Sequence, residues 1–147
     1  MFVCSDENLI FRDNSLVSKI IDELMKIVGL RYLHETLKSF VETVIIEQKC
    51  CEIDPDRIKE GSLESNLENL KQYISNVFRS ITTSMTRCPA IMSEVFFVLK
   101  ELAIKFFPGN KEVCYYIISS FVFLRYFAPA ILNPRLFELT DMNIVSI

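Results

Sequence analysis

Two arginines in this chain sit where arginine is unusual. Arg125 lies inside Phe123-Leu124-Arg125-Tyr126-Phe127-Ala128-Pro129-Ala130-Ile131-Leu132-Asn133-Pro134, an apolar helical pattern that breaks into a double-proline segment. A buried charge is costly unless it is paired, so Arg125 needs a partner, and the expected one lies far upstream, around Phe11-Arg12. Arg12 stands in a loop directly before a strong helical pattern, where Ile10 and Phe11 can anchor the loop while the guanidinium projects. On local grounds alone Arg12 reads as a solvated surface residue. The chemistry open to such a residue is electrostatic, since guanidinium offers a permanent charge and a rigid fork of donors for phosphate, carboxylate or carbonyl oxygens.

Other chemistries find little support. The five cysteines, Cys4, Cys50, Cys51, Cys88 and Cys114, are odd in number and irregular in spacing, and the single histidine is His34. Cys50-Cys51 lacks metal-ligand spacing, so zinc is not expected. There is no G-x-x-x-x-G-K-[S/T] phosphate loop and no His-centred triad. His34 falls in an amphipathic helical pattern and reads as a surface or packing residue.

At 147 residues the chain has the length of one domain. Half of it is hydrophobic, with 12 Phe and 5 Tyr, enough for a real core. The mean hydropathy of +0.28 is high for a soluble protein of this size. It raises the expectation of apolar faces meant for further elements. A net charge of −3, with no basic stripe, argues against general nucleic-acid binding. A local basic patch facing an acidic partner stays open. The cysteine usage and the lack of a secretory leader predict a reduced, cytosolic chain. The longest apolar run, Val113 to Leu124, is too short for a membrane span and reads as a buried helix.

The elements that must position the arginines are helices. Three glycines, five prolines and no sustained alternation predict an all-α bundle of about five. The first starts near Asn14 or Ser15, with Leu16, Val17, Ile20, Ile21, Leu24, Ile27 and Val28 as its core face and Gly29 as its stop. On this reading Asp22, Glu23 and Lys26 fall mostly on the other side. A second runs from about Tyr32 to Glu47, with Leu33, Leu37, Phe40, Val41, Val44 and Ile45 inward. Residues 48–65 form one long connection. A third helix covers about 66–86 through Leu67, Leu70, Ile74, Val77, Phe78 and Ile81. A fourth, opened by Pro89, covers about 89–106 through Ile91, Val95, Val98, Leu99 and Leu102. The fifth is capped by Asn110 and ends near Phe127, with Pro129 and Pro134 forcing the chain out of helix.

Three ordered blocks carry a resemblance. Ser15-Leu16-x-Ser18-Lys19-x-x-Asp22-Glu23-x-Met25-Lys26-x-x-Gly29-x-x-Tyr32-Leu33 resembles the finger-loop helix of Ras GTPase-activating proteins. Glu52-Ile53-Asp54-Pro55 looks like a second block of that family. Phe123-Leu124-Arg125-x-x-x-Pro129-Ala130-Ile131-x-x-Pro134 is similar to its signature, and is the most specific of the three. Together they extend over nearly the whole chain.

The resemblance implies roles residue by residue. Arg12 matches the arginine finger, which enters the nucleotide site of a GTP-bound Ras-like GTPase and stabilises the transition state for γ-phosphate hydrolysis. Arg125 matches the arginine that fixes the finger loop through its backbone. Leu124 corresponds to an apolar contact with the switch region of the partner. Lys19 and Lys26 lie where a basic residue meets the partner's acidic surface. The charge that spreads over the transferring phosphoryl group suits guanidinium. In the Ras-type system itself such a finger is worth about 10³–10⁵ in rate, roughly 4–7 kcal/mol, a general figure for that chemistry rather than one obtained from this chain. GTP and Mg²⁺ are held by the partner, so the resemblance implies no cofactor and no active site of the chain's own.

Both ends depart from the family pattern. Eleven residues precede Arg12, and no match to the family's later helices follows Phe137. The chain is therefore expected to be a single partial domain, residues 1–147, truncated at both ends, with weak activity alone. The resemblance implies action in the cytoplasm at the inner face of the plasma membrane, with membrane proximity supplied by flanking domains rather than by a segment of this chain. The alternatives are a helical module that binds Ras-GTP without accelerating hydrolysis, and a plain helical scaffold that leaves both arginine blocks as accidents.

Overall fold

The structure, a computed structural model, describes residues 16–141. Among them there is helix and turn but no strand. The long helical stretches are α1 (Leu16–Glu47), α2 (Leu63–Ser84), α3 (Ala90–Phe106) and an unbroken run, Lys111–Leu132, with short 3-10 turns at Met85–Arg87 and Pro134–Phe137. That last run comprises α4 (Lys111–Ser119), a π-helical segment (Ser120–Phe127) and α5 (Ala128–Leu132). Four long stretches thus replace the five expected, because the two predicted N-terminal helices are one.

Gly29 does not stop α1. A Cβ there would collide with the Tyr126 ring and hydroxyl and lie 2.9 Å from Met92 Sδ. The glycine is present so that an aromatic side chain can reach the helix backbone, a use that the same residue type hides in sequence. The Asn14 and Ser15 cap lies outside the described residues.

The chain packs as two compact units. One takes α1 up to Tyr32 together with Cys88–Leu132. Its core holds Met25, Tyr32, Met92, Leu99, Ala103, Ile117, Phe121, Val122, Tyr126 and Phe127. The aromatic pairs Tyr32–Tyr126, Tyr32–Phe127 and Tyr126–Phe127 have centroids 6.3, 6.0 and 4.9 Å apart, within the range of favourable ring contacts.

Here α1 is turned relative to expectation. Ser18, Met25, Gly29 and Tyr32, on one side of the helix, are buried. Leu16, Ile20 and Ile27, on the opposite side, are exposed. Gly29 on this face lets the Tyr126 ring approach the helix backbone, which no residue of the Leu16, Ile20 and Ile27 side would allow. Apolar residues also face solvent on α3, where Ile91 and Val98 are exposed while Met92, Leu99 and Ala103 are buried.

The other unit takes α1 from Leu33, the chain through Arg87, and the chain from Asn133. Leu33, Leu37 and Val41 are buried as expected. On α2 the buried residues are Asn66, Tyr73, Ile81 and Ser84, whereas Leu67, Ile74 and Phe78 are exposed. Phe40 packs edge-on against Tyr73. A reciprocal pair of bonds between Ser62 and Ser65 starts α2. Buried Asn66 then ties down the preceding loop, its Nδ2 donating to the carbonyls of Glu52 and Glu60 and to Cys50 Sγ. The block Glu52-Ile53-Asp54-Pro55 is part of this tied loop. Asp54 O accepts from Arg57 N and Ile58 N, and Asp54 Oδ1 accepts from Asp56 N. His34 meets Phe137 O at 2.8 Å, a structural hydrogen bond that fits the packing role expected for it.

Candidate functional site

The site is built on the π-helical segment. Asn110 caps α4, its Oδ1 accepting from Val113 N, and the helix buries Val113, Cys114 and Ile117. From Ser120 the bonding register widens, and Ala128 N donates to Phe123 O, five residues back. An α-helical proline at 129 would clash with the carbonyl of Arg125, four residues earlier, and would leave it without a donor. The widened turn shifts those carbonyls. The helix therefore passes through Pro129 and ends at Leu132, not near Phe127. With that extension the run Lys111–Leu132 is long and apolar enough to cross a membrane by length and composition alone, which the shorter run Val113 to Leu124 was not. Its inward side is the core of the first unit. π-turns of this kind occur often at functional sites because they re-aim side chains.

Here two neighbouring side chains are aimed apart. Leu124 is 57% exposed. The side chain of Arg125 is only 14% exposed, with its Cζ 5.5 Å from the centroid of the Phe121 ring. Its Nη1 donates to Asp22 Oδ2 on α1 at 2.7 Å. The geometry is that of a charge-assisted hydrogen bond. The Asp22 side chain is 21% exposed, and its Oδ1 is buried with no hydrogen-bond partner.

Asp22 corrects the sequence reading, which left it on the solvent side of the helix. It shares a face with Lys19 and Lys26, three residues before it and four after. Both lysines are exposed, and Lys26 Nζ pairs with Glu23 at 2.7 Å. Such a surface pair contributes little to stability. Arg125, Leu124, Lys19 and Lys26 therefore all belong to the first unit, with Leu124, Lys19 and Lys26 open to solvent. Arg12 lies outside the described residues. Sequence reasoning missed Asp22 and Phe121 as partners of Arg125. The available signal was an acid one helical turn from two lysines, on the side opposite the apolar stripe.

Among the described residues no group of three or more His, Cys, Asp or Glu could hold a metal ion. Cys50, Cys51, Cys88 and Cys114 are free thiols.

A family model described as "GTPase-activator protein for Ras-like GTPase" matches residues 4–64 and 60–146. The chain belongs to the Ras GTPase-activating protein family. Within that family it is 55% identical over 136 residues to "Ras GTPase-activating protein 3" of Bos taurus, covering 92% of this chain and 16% of that protein. It is 50% identical over 137 residues to a "GTPase-activating protein" of Drosophila melanogaster, covering 92% of this chain and 12% of that protein. To "Ras GTPase-activating protein 2" of Homo sapiens it is 45% identical over 135 residues, or 91% and 16% of the two chains. The chain thus spans less than one-fifth of the length of these curated relatives. The match to the family extends over all three blocks read from the sequence, including the π-helical segment with Leu124 and Arg125.

Proposed function

We propose that this chain is the part of a GTPase activator that lends Arg12, as an arginine finger, to a Ras-like small GTPase in its GTP-bound state. The observation that carries the reading is the anchoring of Arg125. Its guanidinium is tied to Asp22 on α1, the helix that follows Arg12 in the sequence. An arginine fixed at that point can hold a loop by its carbonyls, and a loop held in advance spares the ordering entropy otherwise lost at each encounter.

The finger adds positive charge where the phosphoryl group and bridging oxygen become more negative, so it acts on the transition state more than on the bound ground state. Leu124 supplies an apolar contact to the partner, and Lys19 and Lys26 meet its acidic surface. GTP and Mg²⁺ belong to the partner, which also orients the attacking water. The chain supplies no nucleophile, base or cofactor and has no active site of its own. The activity switches off signalling by a lipid-anchored GTPase in the cytoplasm at the inner membrane face, with proximity provided by flanking regions.

The test follows phosphate release from a GTP-loaded Ras-family GTPase mixed with the chain or with Arg12→Ala. Acceleration by the wild type and its loss in the variant are expected. Equal acceleration by both overturns the finger assignment.

A further inference from the structure

We propose that Asp22 is a positioning residue: it sets the orientation of the Arg125 guanidinium and, through it, the placement of the loop that carries Arg12. The inference rests on the activator reading above and names a residue on which that reading depends.

An arginine side chain has four rotatable bonds and loses about 2 kcal/mol of rotamer freedom when fixed. Two of the contacts that Arg125 makes bear on its orientation. Asp22 Oδ2 takes Nη1 at 2.7 Å, and the Phe121 ring lies beside the guanidinium. Together they restrict the position of the charged group and the directions in which its donors point. Hydrogen bonds to carbonyls weaken steeply with misalignment, so those directions matter to any loop Arg125 holds.

The location of Asp22 matters as much as its charge. It stands six residues into α1, about 9 Å along the axis from the first described turn. The ion pair therefore ties the π-helical segment to α1, the helix that follows Arg12 in the sequence. Displacement of Arg125 relative to that helix would be passed to the loop.

The pair is poorly built for stability alone. One carboxylate oxygen is engaged, while Oδ1 is buried without a partner. An unsatisfied buried acceptor costs about 1–3 kcal/mol, which a pair selected only for stability would avoid. The arrangement spends stability on orientation.

The 147-residue chain and its variants are titrated against a GTP-loaded Ras-family GTPase under single-turnover conditions, and phosphate release gives a saturating rate and a half-saturating concentration. Asp22→Asn is expected to lower the saturating rate about tenfold, as a misplaced catalytic group does, with the half-saturating concentration changed less than about twofold. Asp22→Glu keeps the charge but lengthens the arm by one methylene. It is expected to keep the wild-type circular dichroism melting profile yet lose rate about threefold. A wild-type saturating rate in Asp22→Glu overturns the positioning role while the activator reading stands, whatever Asp22→Asn does to the fold. A loss of rate in both variants that follows only their loss of helical signal makes Asp22 structural and also overturns it. No acceleration by the wild-type chain overturns the activator reading itself, and this inference with it.

Discussion

The Tyr126 hydroxyl donates a 2.5 Å hydrogen bond to the backbone carbonyl of Gly29, across 97 residues of sequence. That carbonyl lies within unbroken α1 and also accepts along the helix, so the phenol uses its second lone pair. The contact requires a residue without a side chain, since a Cβ at Gly29 would meet the ring, the hydroxyl and Met92 Sδ. Alanine would improve helix propensity by about 1 kcal/mol. Overpacking costs about 1–3 kcal/mol, and here the obstacles are a buried ring and a buried thioether. Gly29→Ala is therefore expected to lower stability by up to about 2 kcal/mol in urea denaturation. Combining it with Tyr126→Phe, which removes the nearest atom, should give less than the sum of the two losses.

Removing Arg125 tests the ion pair from its other end. Arg125→Ala strands the part-buried Asp22 carboxylate, whose Oδ1 already has no partner. A loss of about 2 kcal/mol is expected, typical of a broken charged hydrogen bond in a partly buried setting. Chemical denaturation measures it. A variant as stable as the wild type would show the pair to be energetically idle.

Much of the architecture is legible in sequence where a residue type has one dominant use. Pro89 precedes α3 and Asn110 caps α4 because a proline opening a first turn and an amide at an N-cap each satisfy a local need. Leu33, Leu37 and Val41 are buried as their spacing predicts. The errors fall where one residue type serves two purposes. Gly29 reads as a stop but admits Tyr126. Pro129 reads as a terminator, yet the π-turn before it removes the clash. Periodicity also fails on α1, since its partner selects the side with Ser18 and Gly29 over the more apolar side with Leu16, Ile20 and Ile27. Of the candidate site, the arginines and Leu124 are visible as a family pattern. The role of Asp22 is not, because its partner lies 103 residues away and the only local mark is its place one helical turn from Lys19 and Lys26.

Asn66 is the most demanding polar residue of the second unit. It is 1% exposed, and its Nδ2 donates to Glu52 O at 2.9 Å, Glu60 O at 3.1 Å and, weakly, Cys50 Sγ at 3.4 Å. Asn66→Ala leaves two carbonyls without their donor and is expected to cost about 3 kcal/mol. Asn66→Asp is nearly isosteric but turns an acceptor toward those carbonyls, so it should cost at least as much. Hydrogen exchange over residues 50–62 should accelerate in both variants, and unchanged protection would contradict the assignment.

Stability should fall at both ends of the pH scale through neighbouring groups. The Lys49 ammonium, 3.0 Å from Glu47 Oε2, holds that carboxyl below its ordinary value. This contribution is present above the unfolded carboxyl range near 4.5 and is lost as pH falls through the lower folded value. Burial, and then the Glu47 carboxylate, push the Tyr73 phenol above its ordinary value of 10. Its hydroxyl is buried without completing a hydrogen bond. The folded state thus holds this proton more tightly than the unfolded state, and the contribution is lost as pH rises through the raised value. Tyr73→Phe is expected to flatten the alkaline limb of a stability-versus-pH curve, to weaken the acid limb only by the smaller share of the Glu47 lowering that the phenol supplies beside Lys49, and to change stability at neutral pH by no more than about 1 kcal/mol.

Leu124 separates docking from folding. At 57% exposure it contributes little to the core, so Leu124→Ala should alter stability by less than about 0.5 kcal/mol. If its exposed surface is covered by the GTPase, about 1 kcal/mol of apolar burial is lost on truncation. That corresponds to a rise of about fivefold in the half-saturating concentration of the phosphate-release titration, with the saturating rate unchanged. Leu132 provides the control, being 83% exposed at the end of the same helical run and having no assigned contact. Leu132→Ala should leave both kinetic parameters at wild-type values. Equal effects of the two substitutions would mean that exposed apolar surface in general, rather than the position beside Arg125, governs the encounter.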